Sequence, residues 1–323
     1  MNCFRLLYAV TVFVAASPSL AWAQAWPAKP VTFILAATPG NTNEIETRLY
    51  AKKLGENIPG GQFIVDFKPG AGGTIAASHV ARGSPDGHLL LVISRNYTIL
   101  PAAFQDLPYD PVKDLAAVTM LSTRPTVLMS HPSVPAKTAR EYFAYAKANP
   151  GKLNFGTTGV GSSPHLNGAW MHSMAGVKVN FIHYKGTGAM MPDLLAGRIH
   201  STSVSFLSSM PHIKAGKTIA LGITTADRSP LWADLPTLDE QGVKGYDYGS
   251  WIGVFATGGT PSGTLARVHA ELAKAGKAPE IRQKLEPDFV QIIVSSPEIF
   301  QRHVIEDIAR WRELGKEVEI KVE

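Results

Sequence analysis

Short apolar runs alternate along this chain with longer stretches in which apolar residues recur every three or four positions. Val31 to Ala36, Gln62 to Phe67 and His88 to Ser94 read as buried strands, and Glu44 to Leu54 and Thr74 to Arg82 as helices, the alternation of an α/β fold. The first helix carries Ile45, Leu49 and Leu54 on one face; Asn43-x-x-Glu46 resembles a capping box at its start and Gly55 a terminating glycine at its end. The pattern restarts after Val118 to Ser130, an apolar, β-branched stretch broken by Arg124-Pro125 that reads as a chain crossing between two lobes. Thr138-x-x-Glu141 caps a further helix ending at Asn149-Pro150-Gly151, and strands are expected at Leu153 to Gly156, Val179 to Tyr184 and Ile219 to Thr224. Trp251 to Thr257 reads as the return crossing. A last helix starts at Ser296-Pro297-Glu298 and presents Phe300, Val304, Ile308 and Trp311 on one face.

The first two dozen residues read as a cleavable export signal: Arg5, an apolar Leu6 to Ala16, and an A-x-A-like site at Ala21-Trp22-Ala23. The single cysteine, Cys3, precedes that apolar run, so the mature chain is expected to lack thiol catalysis, disulfides and cysteine-ligated metals. Its stability must then come from a packed core, which 45% hydrophobic residues can supply, and the length suggests two lobes. The net charge of +5 comes from scattered lysines and arginines without basic runs, which argues against nucleic acid as a partner.

Two glycine-containing loops, each opening into a helix, are the candidates for chemistry: Thr38-Pro39-Gly40-Asn41-Thr42-Asn43-Glu44, and Gly156 to His165, in which Ser163 reads as the N-cap and Pro164 as the first helical residue. Both would offer backbone N–H groups to an anion. The same pattern also fits two capped turns, and the residues alone leave both readings open. Lys68 to Gly73 lacks the third glycine of a dinucleotide fingerprint and reads as a close approach between loop and helix; Ala215-Gly216-Lys217-Thr218 reads as a turn. Enzyme and metal motifs are missing. His165 and His172 share a helix face and read as capping or packing residues, while Ser162 and His165 lie too close along one helix start to serve readily as nucleophile and base. No cofactor or metal is expected.

In the same order, these segments resemble the Bug family, the periplasmic solute-binding proteins of tripartite tricarboxylate transporters. The resemblance covers essentially the mature chain. It rests on Trp26-Pro27-Ala28-Lys29-Pro30, Phe67-Lys68-Pro69-Gly70-Ala71-Gly72-Gly73, Pro85-Asp86-Gly87, Leu107-Pro108-Tyr109-Asp110-Pro111 and Asn149-Pro150-Gly151-Lys152-Leu153 in the first half of the chain. Gly159-x-Gly161-Ser162, His165-Leu166, Tyr184-Lys185-Gly186, Asp193-Leu194-Leu195-Ala196-Gly197 and Leu235-Pro236-Thr237 extend it. The resemblance implies a type II periplasmic-binding fold, two α/β lobes joined by crossing hinge strands around a central ligand cleft. Residues 1–23 would be the signal peptide, 24–123 plus 252–323 one lobe and 124–251 the other. It further implies that the two loops hold a ligand carboxylate, through Thr38, Gly40, Asn41, Thr157, Thr158, Gly159, Gly161 and Ser162. Asn43, Asn96, Tyr97, His165, Tyr184, Val204 and Ser205 complete the expected cleft.

The chain departs from the family pattern within that expected cleft. The first loop has Thr38 and Asn41 where the family usually has proline and glycine, and Val204 stands where an aspartate often lines the cleft. Losing that carboxylate argues for a plain carboxylate ligand with an apolar body over an amino acid. The expected protein is a monomeric periplasmic receptor for a small carboxylate, serving membrane transporter subunits encoded elsewhere. The alternatives are a carboxylate sensor component, a hydrolase on the same scaffold, or a structural envelope protein.

Overall fold

A computed structural model describes residues 26–317 apart from residues 38, 40, 41, 105, 160 and 161. The expected signal peptide lies outside the described residues, as do the candidates Thr38, Gly40, Asn41 and Gly161. The chain opens with β1 (Val31–Leu35), α1 (Thr42–Asn57), β2 (Phe63–Phe67), α2 (Thr74–Ala81), β3 (Leu89–Ser94) and α3 (Asn96–Ala103). The long strand β4 (Leu115–Ser130) follows, then α4 (Ala139–Ala148), β5 (Asn154–Thr157), α5 (Ser163–Met174), β6 (Asn180–His183) and α6 (Thr187–Leu195). The remainder is β7 (Ser201–Ser205), α7 (Phe206–Lys214), β8 (Ile219–Ile223), β9 (Gly249–Thr257), α8 (Ser262–Gly276), α9 (Pro279–Leu285), β10 (Gln291–Ile292) and α10 (Pro297–Glu317).

The strands run in the order β2-β1-β3-β9-β4-β7-β5-β6, with β8 and β10 also pairing with β4. β4 is the spine. Its first part, Leu115 to Pro125, pairs antiparallel with β9, and its last part, Thr126 to Ser130, pairs with β7 and β8. The expected break at Arg124-Pro125 is where the partners change: Pro125 sits at the last register position with β9, opposite Gly249, so its missing N–H falls at a ladder end. On each side of this crossing the neighbouring strands are parallel and linked through helices, β2-β1-β3 on one side and β7-β5-β6 on the other.

Both faces of the first half are covered. Phe33, Leu35, Leu90, Val254 and Leu272 form one apolar cluster, and Ile34, Leu91, Tyr97, Phe255 and Phe300 another. The second half packs around Tyr142, Phe155, Leu166, Trp170 and Tyr246. The expected amphipathic face of α10 is divided between them. Phe300, Val304 and Ile308 pack on the first half, while Trp311 lies edge-on to Trp170 and Tyr248 of the second, with ring centroids 5.6 and 6.0 Å away. In the glycine loop 70–73, Gly70, Gly72 and Gly73 take φ of 119°, 64° and 108°, and a Cβ on Gly70 would come within 2.7 Å of Ile75 Cδ1 on α2. This is the close approach expected there. Among the described residues no helix is long and apolar enough to cross a membrane.

Candidate functional site

The second expected loop leaves the C-terminal end of β5 and enters α5. Ser162 is its N-cap, one residue earlier than expected: its Oγ accepts the His165 N–H (3.4 Å) and donates to the Gly159 carbonyl (2.7 Å). Ser163 lies inside the helix, and its hydroxyl bonds Tyr248 instead (2.8 Å). Gly159 takes φ +124°, a turn that any side chain would strain, and its N–H donates to Thr157 Oγ1 (3.4 Å).

Thr157, Gly159, Ser162, His165 and Tyr184 therefore meet around one turn, with Thr158 half-buried between them. Thr157 shares a 2.6 Å hydrogen bond with His183 Nδ1, and its carbonyl accepts the Tyr184 N–H (3.0 Å). The Tyr184 hydroxyl donates to Asp193 on α6 (2.7 Å). Burial first, then that carboxylate, pushes the phenol up to about 12, so the ring braces the loop while its hydroxyl is already engaged. His183 was not anticipated. It is the last residue of β6, a mostly exposed strand, and only the fold brings its ring to 5.0 Å from that of His165. Burial, and secondarily His183, push His165 down to about 4, so at neutral pH this loop holds an uncharged imidazole beside a helix N-terminus.

Behind the loop a buried polar network ties α5 to the crossing strands. Asn167 Nδ2 donates to Thr126 Oγ1 (2.8 Å) and Ser203 Oγ (2.9 Å), and its Oδ1 accepts from Tyr246. Thr126 Oγ1 is 2.6 Å from Thr224 Oγ1, which donates to the Tyr248 carbonyl (2.6 Å). The Arg95 guanidinium lies over the Tyr248 ring at 4.6 Å and forms a buried pair with Asp307 of α10, through Nε (3.0 Å) and Nη2. These partners are remote in sequence, and no spacing announces them.

Several expected cleft residues are placed elsewhere. Tyr97 is a core residue: it is 0% exposed, packs on Phe255 and Tyr109, and gives its hydroxyl proton to the Pro111 carbonyl. Val204 is also buried. The alternation of β7 turns it toward Met129, Met190 and Met191, opposite the serines that serve Asn167 and Tyr142. Asn96 opens α3, half-buried. Asn43 does not cap α1, which begins at Thr42; its carbonyl accepts from Thr47 (2.7 Å). Glu46 leaves the expected capping role because its carboxylate turns to Arg124 Nη2 on β4 (2.6 Å), and Gly55 lies inside α1. His172 is a core group, with Nδ1 donating to the Gly168 carbonyl (2.6 Å) and Nε2 accepting from Tyr142 (2.9 Å).

Ser205 is the N-cap of α7, accepting the Ser208 N–H (3.4 Å). It lines a cavity of about 100 Å³ at the crossing point, between Ile45 of α1, Arg124 of β4, Phe206 and Leu207 of α7, and Phe289 ahead of β10. The cavity thus draws its walls from both sides of the strand-partner change in β4. Pockets concentrate at such places in α/β folds.

A family described as the tripartite tricarboxylate transporter family receptor matches residues 47–320. The chain belongs to this family. Its fold is shared with solved relatives. R. palustris Rpa4515, solved with adipate, is 32% identical and superposes with a TM-score of 0.72, over 90% of this chain and 97% of that one. MatC of Rhodopseudomonas palustris, solved with bound malate, is 27% identical with a TM-score of 0.70, over 90% and 100%. A TctC solute-binding protein from Polaromonas, solved with no ligand, is 25% identical and reaches 0.83 over 91% and 100%. The chain is thus a solute-binding receptor of the periplasmic-binding-protein type, as its motifs suggested.

Proposed function

We propose that this receptor captures a small carboxylate between two lobes, 24–123 plus 252–323 and 124–251, and delivers it to membrane components of a tripartite transporter. The observation that carries this reading is the Thr157–Ser162 turn: a capped helix start with hydroxyls and a neutral histidine, fastened through Asn167 and Tyr248 to the strands where the lobes would hinge. Such a site binds an anion through N–H groups and the helix dipole. Hydrogen bonds to a charged group contribute about 1.5–3 kcal/mol each, so two or three suffice for micromolar affinity. Thr38, Gly40 and Asn41 complete the proposed ligand contacts. The adipate and malate of the two relatives support a carboxylate ligand.

Export by cleavage after Ala23, a periplasmic location and a monomeric state complete the proposal. It has no catalytic step: the Ser162 hydroxyl proton is directed at the Gly159 carbonyl, and the His165 ring packs edge-on to Phe181 and His183. The test is thermal unfolding of the purified protein against mono-, di- and tricarboxylates, with the acid analysed afterwards. A ligand at 100 times its Kd should stabilise by about 2.7 kcal/mol and be recovered unchanged. Turnover of the acid would favour a hydrolase, and no shift with any acid would defeat the carboxylate reading.

A further inference from the structure

The cavity at the crossing point bears on which carboxylate this receptor takes. Its walls are apolar except for Ser205 and one cation, Arg124, the one charged group lining it among the described residues. That cation is already engaged. Arg124 Nη2 is 2.6 Å from Oε2 of Glu46, which is 0% exposed and also accepts from Ser122 Oγ (3.0 Å), and the other carboxylate oxygen, Oε1, is buried without a hydrogen-bond partner among the described residues. The pair is formally neutral. A second ligand carboxylate arriving here would have to share one guanidinium with a buried anion that is itself under-satisfied. An ammonium would find no acidic side chain in the lining, since Val204 is packed inward on α6.

An apolar group meets the opposite conditions. Ile45 and Leu207 are large apolar side chains, 46% and 47% exposed, and they reach this one cavity from opposite sides of the crossing, α1 and α7. Phe289, with its ring stacked on Phe206 at 4.9 Å, forms another wall. The volume of about 100 Å³ falls below the ~150 Å³ of a dry apolar cavity that accepts benzene, which limits the occupant to a short aliphatic group.

We infer that this cavity receives the uncharged aliphatic tail of a monocarboxylate, and that the receptor thereby prefers a monoacid to the diacid of equal chain length. The inference rests on the carboxylate-receptor reading, which supplies the other end of the ligand. It sets this chain apart from the two relatives solved with adipate and malate.

Calorimetric titration of the purified protein with propionate, hexanoate and adipate tests it, together with two variants. Hexanoate should bind at least tenfold more tightly than both propionate and adipate; burial of each extra methylene is worth about fourfold. Leu207→Ser, at an exposed position that leaves the core intact, should weaken hexanoate about tenfold and leave propionate unchanged. Glu46→Gln releases the Arg124 charge and should raise adipate affinity relative to hexanoate by tenfold or more. Adipate binding as tightly as hexanoate overturns the inference, as does propionate binding with no gain from chain length; either result leaves carboxylate capture standing. Failure of all three acids to bind also overturns the inference, and the carboxylate reading is then decided by the wider panel of di- and tricarboxylates.

Discussion

Two arginine–carboxylate pairs flank the region where the chain crosses between the halves of the sheet, and they are built to different standards. At Arg95, Nε and Nη2 reach Asp307, Nη1 reaches the Gly249 carbonyl, Thr98 gives Asp307 a further hydrogen bond (2.7 Å), and the rings of Tyr248 and Trp311 close over the guanidinium. At Arg124, one nitrogen serves Oε2 of Glu46, which also accepts from Ser122 Oγ (3.0 Å), while Oε1 has no hydrogen-bond partner among the described residues and Arg124 itself lines the cavity. A saturated buried pair holds a structure together, whereas an unsaturated one marks a surface awaiting something else. The first pair joins α3, β9 and α10; Arg124 of the second lines the cavity at the crossing point.

Removing one partner of each pair should therefore have unequal effects. Asp307→Ala leaves Arg95 buried and uncompensated and should cost about 3–5 kcal/mol in urea unfolding. A loss below about 1 kcal/mol would erase the distinction between the pairs. Titration probes a third, saturated group. Burial holds His172 down at about 4, below its ordinary 6.5, and the neutral ring is satisfied by Gly168 and Tyr142. The unfolded chain then binds the extra proton between those values, so stability should be full above about pH 6.5 and fall by about 3 kcal/mol as the pH drops toward 4. His172→Gln should flatten that part of the stability profile; an unchanged slope would assign it to other groups.

Smaller effects are expected at the open end of the comparison. Glu46→Gln should lower stability by no more than about 1.5–3 kcal/mol, because the amide oxygen can still accept from Arg124 and Ser122 and Arg124 borders the cavity. A loss matching that of Asp307→Ala would mean that the Glu46 pair is structural after all. Ser162→Ala should cost about 1 kcal/mol of stability through the lost cap, read by the same urea titration, and should also weaken carboxylate binding. A lost cap without lost binding would place the anion elsewhere.

Local signals carried the fold far. Apolar runs placed β1, β3, β4 and β9 within a few residues, and Thr138 caps α4 as its spacing predicts, accepting the Glu141 N–H (3.2 Å). β7 escaped because its Ser-Thr-Ser-Val-Ser has no apolar run: its serines face the Asn167 and Tyr142 network, an inside made polar by long-range bonds. The loop around Ser162 was legible from its glycines, with the cap expected at Ser163 and found at Ser162. The cavity was not, since Ile45, Arg124, Leu207 and Phe289 become neighbours only when the chain has crossed and returned. Glu46 shows the limit most clearly. Its spacing from Asn43 fits a capping box, but the pull of Arg124 across the sheet outweighs a local hydrogen bond.

The dual anchorage of α10 has a consequence for biosynthesis. Because Phe300, Val304 and Ile308 complete a core begun by Ile34 and Leu91, the first half cannot close until nearly the whole polypeptide has been made. At ordinary elongation rates that delay is on the order of ten seconds. For most of it, β3 also lacks its β9 neighbour. A nascent polypeptide of this topology therefore cannot complete its first core until its last helix emerges.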